Sequence, residues 1–143
     1  MEKLTTEQKI IAAAEEVFTK KGYAGTRTRD IAQEAGINLA LLNYHFKSKE
    51  NLFRIIITEK FLQLFGRLSP VISDEKVSLD NKIKTLVEYY TDLLINNMEL
   101  PIFVLNELKN NEHIFDEILQ NVRKLSQPVI EKQMKEEGVV ARK

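Results

Sequence analysis

The sequence predicts an all-α chain, and three observations carry that prediction. Apolar residues return every three or four positions in one stretch after another. Residues that cap helices stand at the head of most of these stretches. No stretch shows the strict apolar–polar alternation of a half-buried strand. The 143 residues include no cysteine, which excludes a disulfide framework, a thiolate nucleophile and a Cys-ligated zinc or iron–sulfur site.

Thr5 and Gln8 have capping-box spacing ahead of Ile10, Ile11, Ala14, Val17 and Phe18, and Gly22 follows, which predicts the first helix. Thr26 or Thr28 is expected to cap a short second helix with Ile31, Ala32 and Ala35 inward and Gly36 closing it. Asn38 caps the next, Leu39 to about His45. Ser48 caps a long fourth, in which Phe53, Ile56, Ile57, Phe61, Leu64 and Phe65 form one stripe. Leu68 to Ser78 contains Pro70 and reads as a linker. Beyond it, Ile83, Leu86, Val87, Tyr90, Leu93 and Leu94 make an amphipathic stripe, Pro101 opens a shorter helix, and Asn111 caps a last one starting at Glu112. Pro128 lies inside that last pattern without an N–H to give, so a kink or break is expected between Lys124 and Pro128. The expected organisation is a head over residues 1–47, a connecting helix over 48–67, the linker over 68–78 and a second domain over 79–143.

Lys and Arg balance Asp and Glu at 21 each, but unevenly along the chain. Through Arg67 there are 11 basic against 8 acidic residues, and beyond it 10 against 13. A basic N-terminal half is the electrostatic footprint of nucleic-acid contact, and an uneven surface is the simpler alternative. No apolar run is long enough to cross a bilayer, and MEKLTTEQ lacks the apolar core of a signal peptide, so a cytoplasmic protein with no membrane partner is expected.

The stretch DIAQEAGINLALLNYHFKSKE, Asp30 to Glu50, concentrates the chemistry. Ala32, Ala35 and Gly36 are small enough for two short helices to cross closely, and Ile31, Ile37 and Leu42 supply plugs that hold one against the other. That is the pattern of a helix-turn-helix, whose second helix enters the DNA major groove; an ordinary helical hairpin uses the same residues. The flanking residues argue for DNA. Tyr44 and His45 offer O–H and N–H donors, Lys47 and Lys49 add charge, and Ser48-Lys49-Glu50 opens a helix whose first N–H groups attract anions.

The segments FTKKGYAG (Phe18 to Gly25), TRTRDIAQEAG (Thr26 to Gly36) and LNYHFKSKENL (Leu42 to Leu52) resemble the N-terminal domain of the tetracycline-repressor (TetR) family of bacterial transcription regulators. The resemblance runs over about residues 7 to 61 without a gap. It implies an all-helical homodimer with a three-helix DNA-binding head, a fourth connecting helix and a C-terminal domain for effector binding and dimerisation. By position it implies phosphate contacts for Tyr44, His45 and Lys49 and for Thr26 and Arg29, with Lys47 beside them, and base reading by Asn38, Leu39, Ala40 and Asn43. Asn43 occupies a position that is often aromatic in the family. An Asn pairs bidentately with adenine, and Leu39 and Ala40 suit thymine methyls, which points to an A·T-containing half-site. Members of the family continue past a point like Glu136-Glu137-Gly138 into two more long helices that pair with their twins, so the second domain is expected to be truncated here and the dimer-forming helices missing.

The implied function is that of a ligand-responsive regulator, a repressor released from its double-stranded operator by a small hydrophobic effector. An architectural or division-control protein on the same fold, with no effector, is the alternative. Tyr90, Phe103 and Phe115 are candidates to line an effector site and Asn106 and Glu107 to anchor its polar end, although aromatic residues at helical spacing, Tyr89 included, are first of all core. His45 lacks a nucleophile in its motif, so no enzyme is expected. His113, Asp116 and Glu117 share a helix face, for which a solvated surface is a commoner reading than a metal site. Neither metal nor cofactor is expected.

Overall fold

The first helix starts where its capping residues say it must: in a computed structural model that describes residues 3–138, Thr5 Oγ1 accepts from Gln8 N at 3.2 Å and Thr5 N donates to Gln8 Oε1 at 2.9 Å. Among the described residues there are eight helices: α1 Thr6–Gly25, α2 Thr28–Ala35, α3 Leu39–His45, α4 Lys49–Phe65, α5 Ser69–Ile72, α6 Leu79–Asn96, α7 Glu99–Asn110 and α8 Glu112–Glu136. The chain divides into two compact units, Met1–Lys60 and Phe61–Lys143.

In the first unit α1 packs on α2 and α2 on α3. α1 loses helical geometry at Gly22 (φ 72°, ψ 173°), a conformation open to glycine, and finishes through a turn to Gly25. Ile10, Ala14, Phe18, Ile31, Leu42, Leu52, Phe53, Ile56 and Ile57 form a core sealed from solvent. At its centre Phe53 meets Phe18 edge-on at 5.1 Å and Tyr23 at 4.8 Å between ring centroids. Lys60 pairs with Glu15, which pins α4 to α1.

Two local expectations need correcting here. Neither Thr26 nor Thr28 caps α2: Arg27 takes the N-cap position, and its N–H donates to Asp30 Oδ2 at 3.1 Å. That bond, helped by Lys21 at 3.4 Å, holds the Asp30 carboxyl below its ordinary range. Gly36 does not mark a close crossing, because a Cβ there would meet nothing within 4 Å; what the site requires is its left-handed φ of 72°. Asn38 does cap α3 as expected, its Oδ1 accepting from Leu41 N at 2.7 Å.

In the second unit α8 packs on α5, α6 and α7. Among the described residues, Phe61, Leu64, Leu68, Pro101, Phe103, Val104, Ile114 and Phe115 are buried there. The stretch 68–78 is not an uninterrupted linker, since α5 lies within it with Pro70 in its first turn. α7 begins at Glu99, two residues ahead of Pro101. Asn111 stands at the N-cap of α8 without capping it; its amide donates instead to the main-chain carbonyl and Oε2 of Glu107 at 3.1 and 2.7 Å. α8 runs through Pro128 unbroken, because a proline inside a helix forfeits one hydrogen bond that packing on three neighbours can offset. The α6 stripe is only half covered: Leu86, Tyr90 and Leu93 are partly buried, whereas Ile83, Val87 and Leu94 stay exposed. No described helix is long and apolar enough to cross a membrane.

Candidate nucleic-acid interface

α3 has one face in and one face out. Leu42 points into the core and is sealed from solvent. Ala40, Asn43 and Tyr44 fall at i, i+3 and i+4 on the opposite side, and all three are exposed. Tyr44 is 81% exposed and takes no part in the core. Lys47, just past the helix, is exposed as well. Asn38 is exposed too, but its carbonyl oxygen is committed to capping, so its amide N–H₂ is the group left to face outward. Leu39 is half-buried and presents only an edge.

The two sides of α3 carry groups of different kinds. On the α4 side, Ser48 Oγ accepts from Asn51 N at 3.1 Å, leaving the earlier amides of that turn to partners outside the helix. His45 is half-buried, with Nδ1 3.3 Å from Glu7 Oε1 at the start of α1. Its ring meets that of Tyr44 edge-on at 5.2 Å. On the α2 side Arg29 is exposed. Thr26 is not: it is 2% exposed, and its hydroxyl donates to Gly22 O at 2.7 Å. Its side chain closes the α1–α2 turn and does not reach outward for phosphate. Arg27 next to it is exposed at the mouth of α2, a cation that the motif gives no reason to separate from its threonine neighbours.

Lys49 is also placed differently from a bare surface charge. Its Nζ donates to Tyr23 O at 2.9 Å and lies 4.2 Å from the centroid of the Tyr23 ring. A charge-assisted bond of this kind contributes about 1.5–3 kcal/mol and the ring contact about 0.5–1 kcal/mol where solvent reaches it. Burial, and after it the charge of Glu50, pushes the Tyr23 phenol up, so the ring stays neutral beneath the ammonium.

The residues singled out for an effector lie apart in kind. Phe103 and Phe115 are core. Tyr90 is half-buried against Phe65 (6.2 Å) and Tyr89 (5.4 Å), and burial, followed by Tyr89, pushes its phenol up to about 12. Glu107 is buried and accepts from Asn111, whereas Asn106 is exposed on α7. His113, Asp116 and Glu117 are set on α8, and among the described residues no three His, Asp or Glu side chains gather as metal ligands.

Comparison with known proteins adds the lineage. The family described as "Bacterial regulatory proteins, tetR family" matches residues 10–56. The chain is 30% identical over 120 residues to the "Probable HTH-type transcriptional regulator YttP" of Bacillus subtilis, covering 82% of this chain and 57% of that one. It is 33% identical over 95 residues to the HTH-type transcriptional regulator QacR of Staphylococcus aureus, covering 63% and 50%. To the fatty acid metabolism regulator protein of B. subtilis it is 29% identical over 102 residues, covering 71% and 52%. The chain thus spans about half the length of the curated relatives it matches. Its fold matches the crystal structure of the regulator FadR from B. subtilis in complex with stearoyl-CoA, with a TM-score of 0.68 at 23% identity over 94% of this chain and 74% of that one. Through residues 10–56, and as a relative of these regulators along most of its length, the chain belongs to the tetR family of bacterial regulatory proteins.

Proposed function

We propose that the chain is the DNA-binding and part of the effector-sensing region of a transcriptional repressor. It binds a double-stranded operator as a homodimer and leaves it when a small amphipathic ligand binds. The observation that carries the reading is the outward face of α3, with Ala40, Asn43 and Tyr44 in a row above the buried Leu42 and Lys47 at its end. A helix held rigidly from behind, with a short polar and apolar set in front and cations at its edges, fits a major groove. Asn43 is the residue of that row able to pair with an adenine edge. Asn43→Ala is expected to cost about 1–3 kcal/mol on the preferred sequence and little on random duplex. Selection from a random library, wild type against variant, tests both the site and the residue. Identical preferred sequences would remove Asn43 from base reading, and no enrichment for the wild type would remove the proposed function.

An acyl-chain effector is supported by a relative named for fatty acid metabolism and by a regulator of similar fold crystallised with stearoyl-CoA. Phe103, Phe115 and Tyr90 would supply apolar lining, and Glu107 with Asn111 a preformed polar pair, once α7 and α8 part around a ligand. Stearoyl-CoA is expected to lower the operator affinity of the homodimeric repressor by shifting its two heads away from the spacing of about one duplex turn, ~34 Å, at which both engage. Coenzyme A alone serves as control. Anisotropy curves that superimpose with and without stearoyl-CoA would exclude this effector class while leaving DNA binding in place.

A further inference from the structure

We propose that Lys49 is a positioning residue, a strut whose ammonium is spent inside the head and fixes the spacing of the two cationic ends that flank α3. The proposal rests on the reading of α3 as the DNA-entering helix and deepens it. Tyr23 O accepts from Thr26 N at 3.3 Å and from Lys49 Nζ at 2.9 Å, so both lone pairs of one carbonyl are used. The first of these bonds closes the turn that carries Arg27 and Arg29 into α2. The second ties that turn to the first residue of α4, which follows directly on Lys47 and Ser48. One ammonium therefore bridges the backbone that presents Arg27 and the backbone that presents Lys47.

The turn it holds is fixed from within the head as well. Gly22 takes its positive φ, Thr26 Oγ1 returns to Gly22 O at 2.7 Å, and the Tyr23 ring packs on Phe53 while offering its other contact to Lys49. To reach a phosphate, Lys49 would have to give up a charge-assisted bond and a ring face together. Lys47, two residues away, supplies a charge without that loss. A duplex presents phosphates at fixed separations across the groove, so a head whose two cationic ends drift apart grips fewer of them at once.

The test compares Lys49→Met, which keeps the stem but loses charge and donor, with Lys49→Arg, which keeps both, and with Lys47→Ala. Affinity for a random-sequence duplex is followed by anisotropy at several salt concentrations, and amide hydrogen exchange is read at Thr26 and in the first turn of α4. Lys47→Ala should flatten the salt slope by about 0.9 for each phosphate the head no longer neutralises. Lys49→Met should keep the wild-type slope, bind several-fold more weakly, and exchange about tenfold faster at those amides, with Lys49→Arg restoring both. A slope flattened by Lys49→Met as much as by Lys47→Ala, or unchanged exchange, overturns the proposal. Should the wild type bind no duplex, the proposed function fails and the exchange measurement still judges the strut. Should Lys49→Met not fold, the Nζ protons of the wild type decide: slow exchange for Lys49 against fast exchange for Lys47 supports the strut, and equal rates overturn it.

Discussion

Phe18→Ala is expected to cost the first unit about 3–5 kcal/mol and, with that, its hold on DNA. Phe18 is sealed from solvent and meets Phe53 edge-on at 5.1 Å and Tyr23 at 6.4 Å. Alanine would leave a cavity beside two aromatic side chains, in a sealed core that also holds Ile10, Ala14 and Ile57. A unit of some sixty residues carries roughly 3–9 kcal/mol in all, so the loss is comparable to the whole. Tyr23 would also lose the neighbour that steadies its ring beneath Lys49, and the α1–α2 turn would loosen before the unit unfolds. Urea denaturation of the purified chain gives the stability, and binding to random duplex under the same conditions gives the consequence. Phe18→Leu, which keeps most of the volume, should lose less than about 1.5 kcal/mol and still bind. A full-strength alanine variant would mean that the aromatic cluster is peripheral to the head.

The head is legible in the sequence because its signals are local. A capping box, a glycine that needs positive φ and an asparagine three residues ahead of the amide it accepts from are all read within five positions. The outward row on α3 follows from Leu42 alone, since one buried position on a seven-residue helix dictates the other side. What the sequence conceals depends on distant partners. Lys49 and Tyr23 are 26 positions apart, so nothing in FKSKE says that its second lysine turns inward. Thr26 misleads for the opposite reason: the motif places it at the interface, but its hydroxyl finds a nearer acceptor in Gly22 O.

The second unit is less legible, and α6 shows why. Periodicity says which side of a helix is apolar, not how much of that side its neighbours reach, and here Ile83, Val87 and Leu94 are left exposed. Lys82 next to them looks like a solvated charge in the sequence, yet it is among the most deeply buried side chains of the unit. Its partner is 51 positions away on α8, beyond the proline that sequence rules expect to interrupt that helix. Continuity through Pro128 is what brings Gln133 to Lys82.

That pairing sets the second large effect: Gln133→Ala is expected to destabilise the second unit by about 3–5 kcal/mol, more than Lys82→Met does. Lys82 is 1% exposed and its ammonium donates to Gln133 Oε1 at 2.6 Å, while Gln133 Nε2 donates to Val77 O at 2.7 Å. One amide thus satisfies a buried cation and a main-chain carbonyl at the approach to α6. The position is adverse for a cation on a further count, because Lys82 stands near the start of α6, the positive end of the helix dipole. Removing Gln133 leaves the charge in place and takes away the group that solvates it. Lys82→Met instead removes the charge, and only Gln133 Oε1 is left seeking a donor, at about 1–3 kcal/mol offset by the desolvation no longer required. The double variant Lys82→Met, Gln133→Leu should therefore be more stable than Gln133→Ala alone, a non-additivity that solvent-exposed neighbours would not show. Equilibrium urea curves for the wild type and these variants measure it. If Gln133→Ala proves the milder change, the ammonium reaches water when Gln133 is gone, and the amide is a surface contact rather than the support of a buried charge.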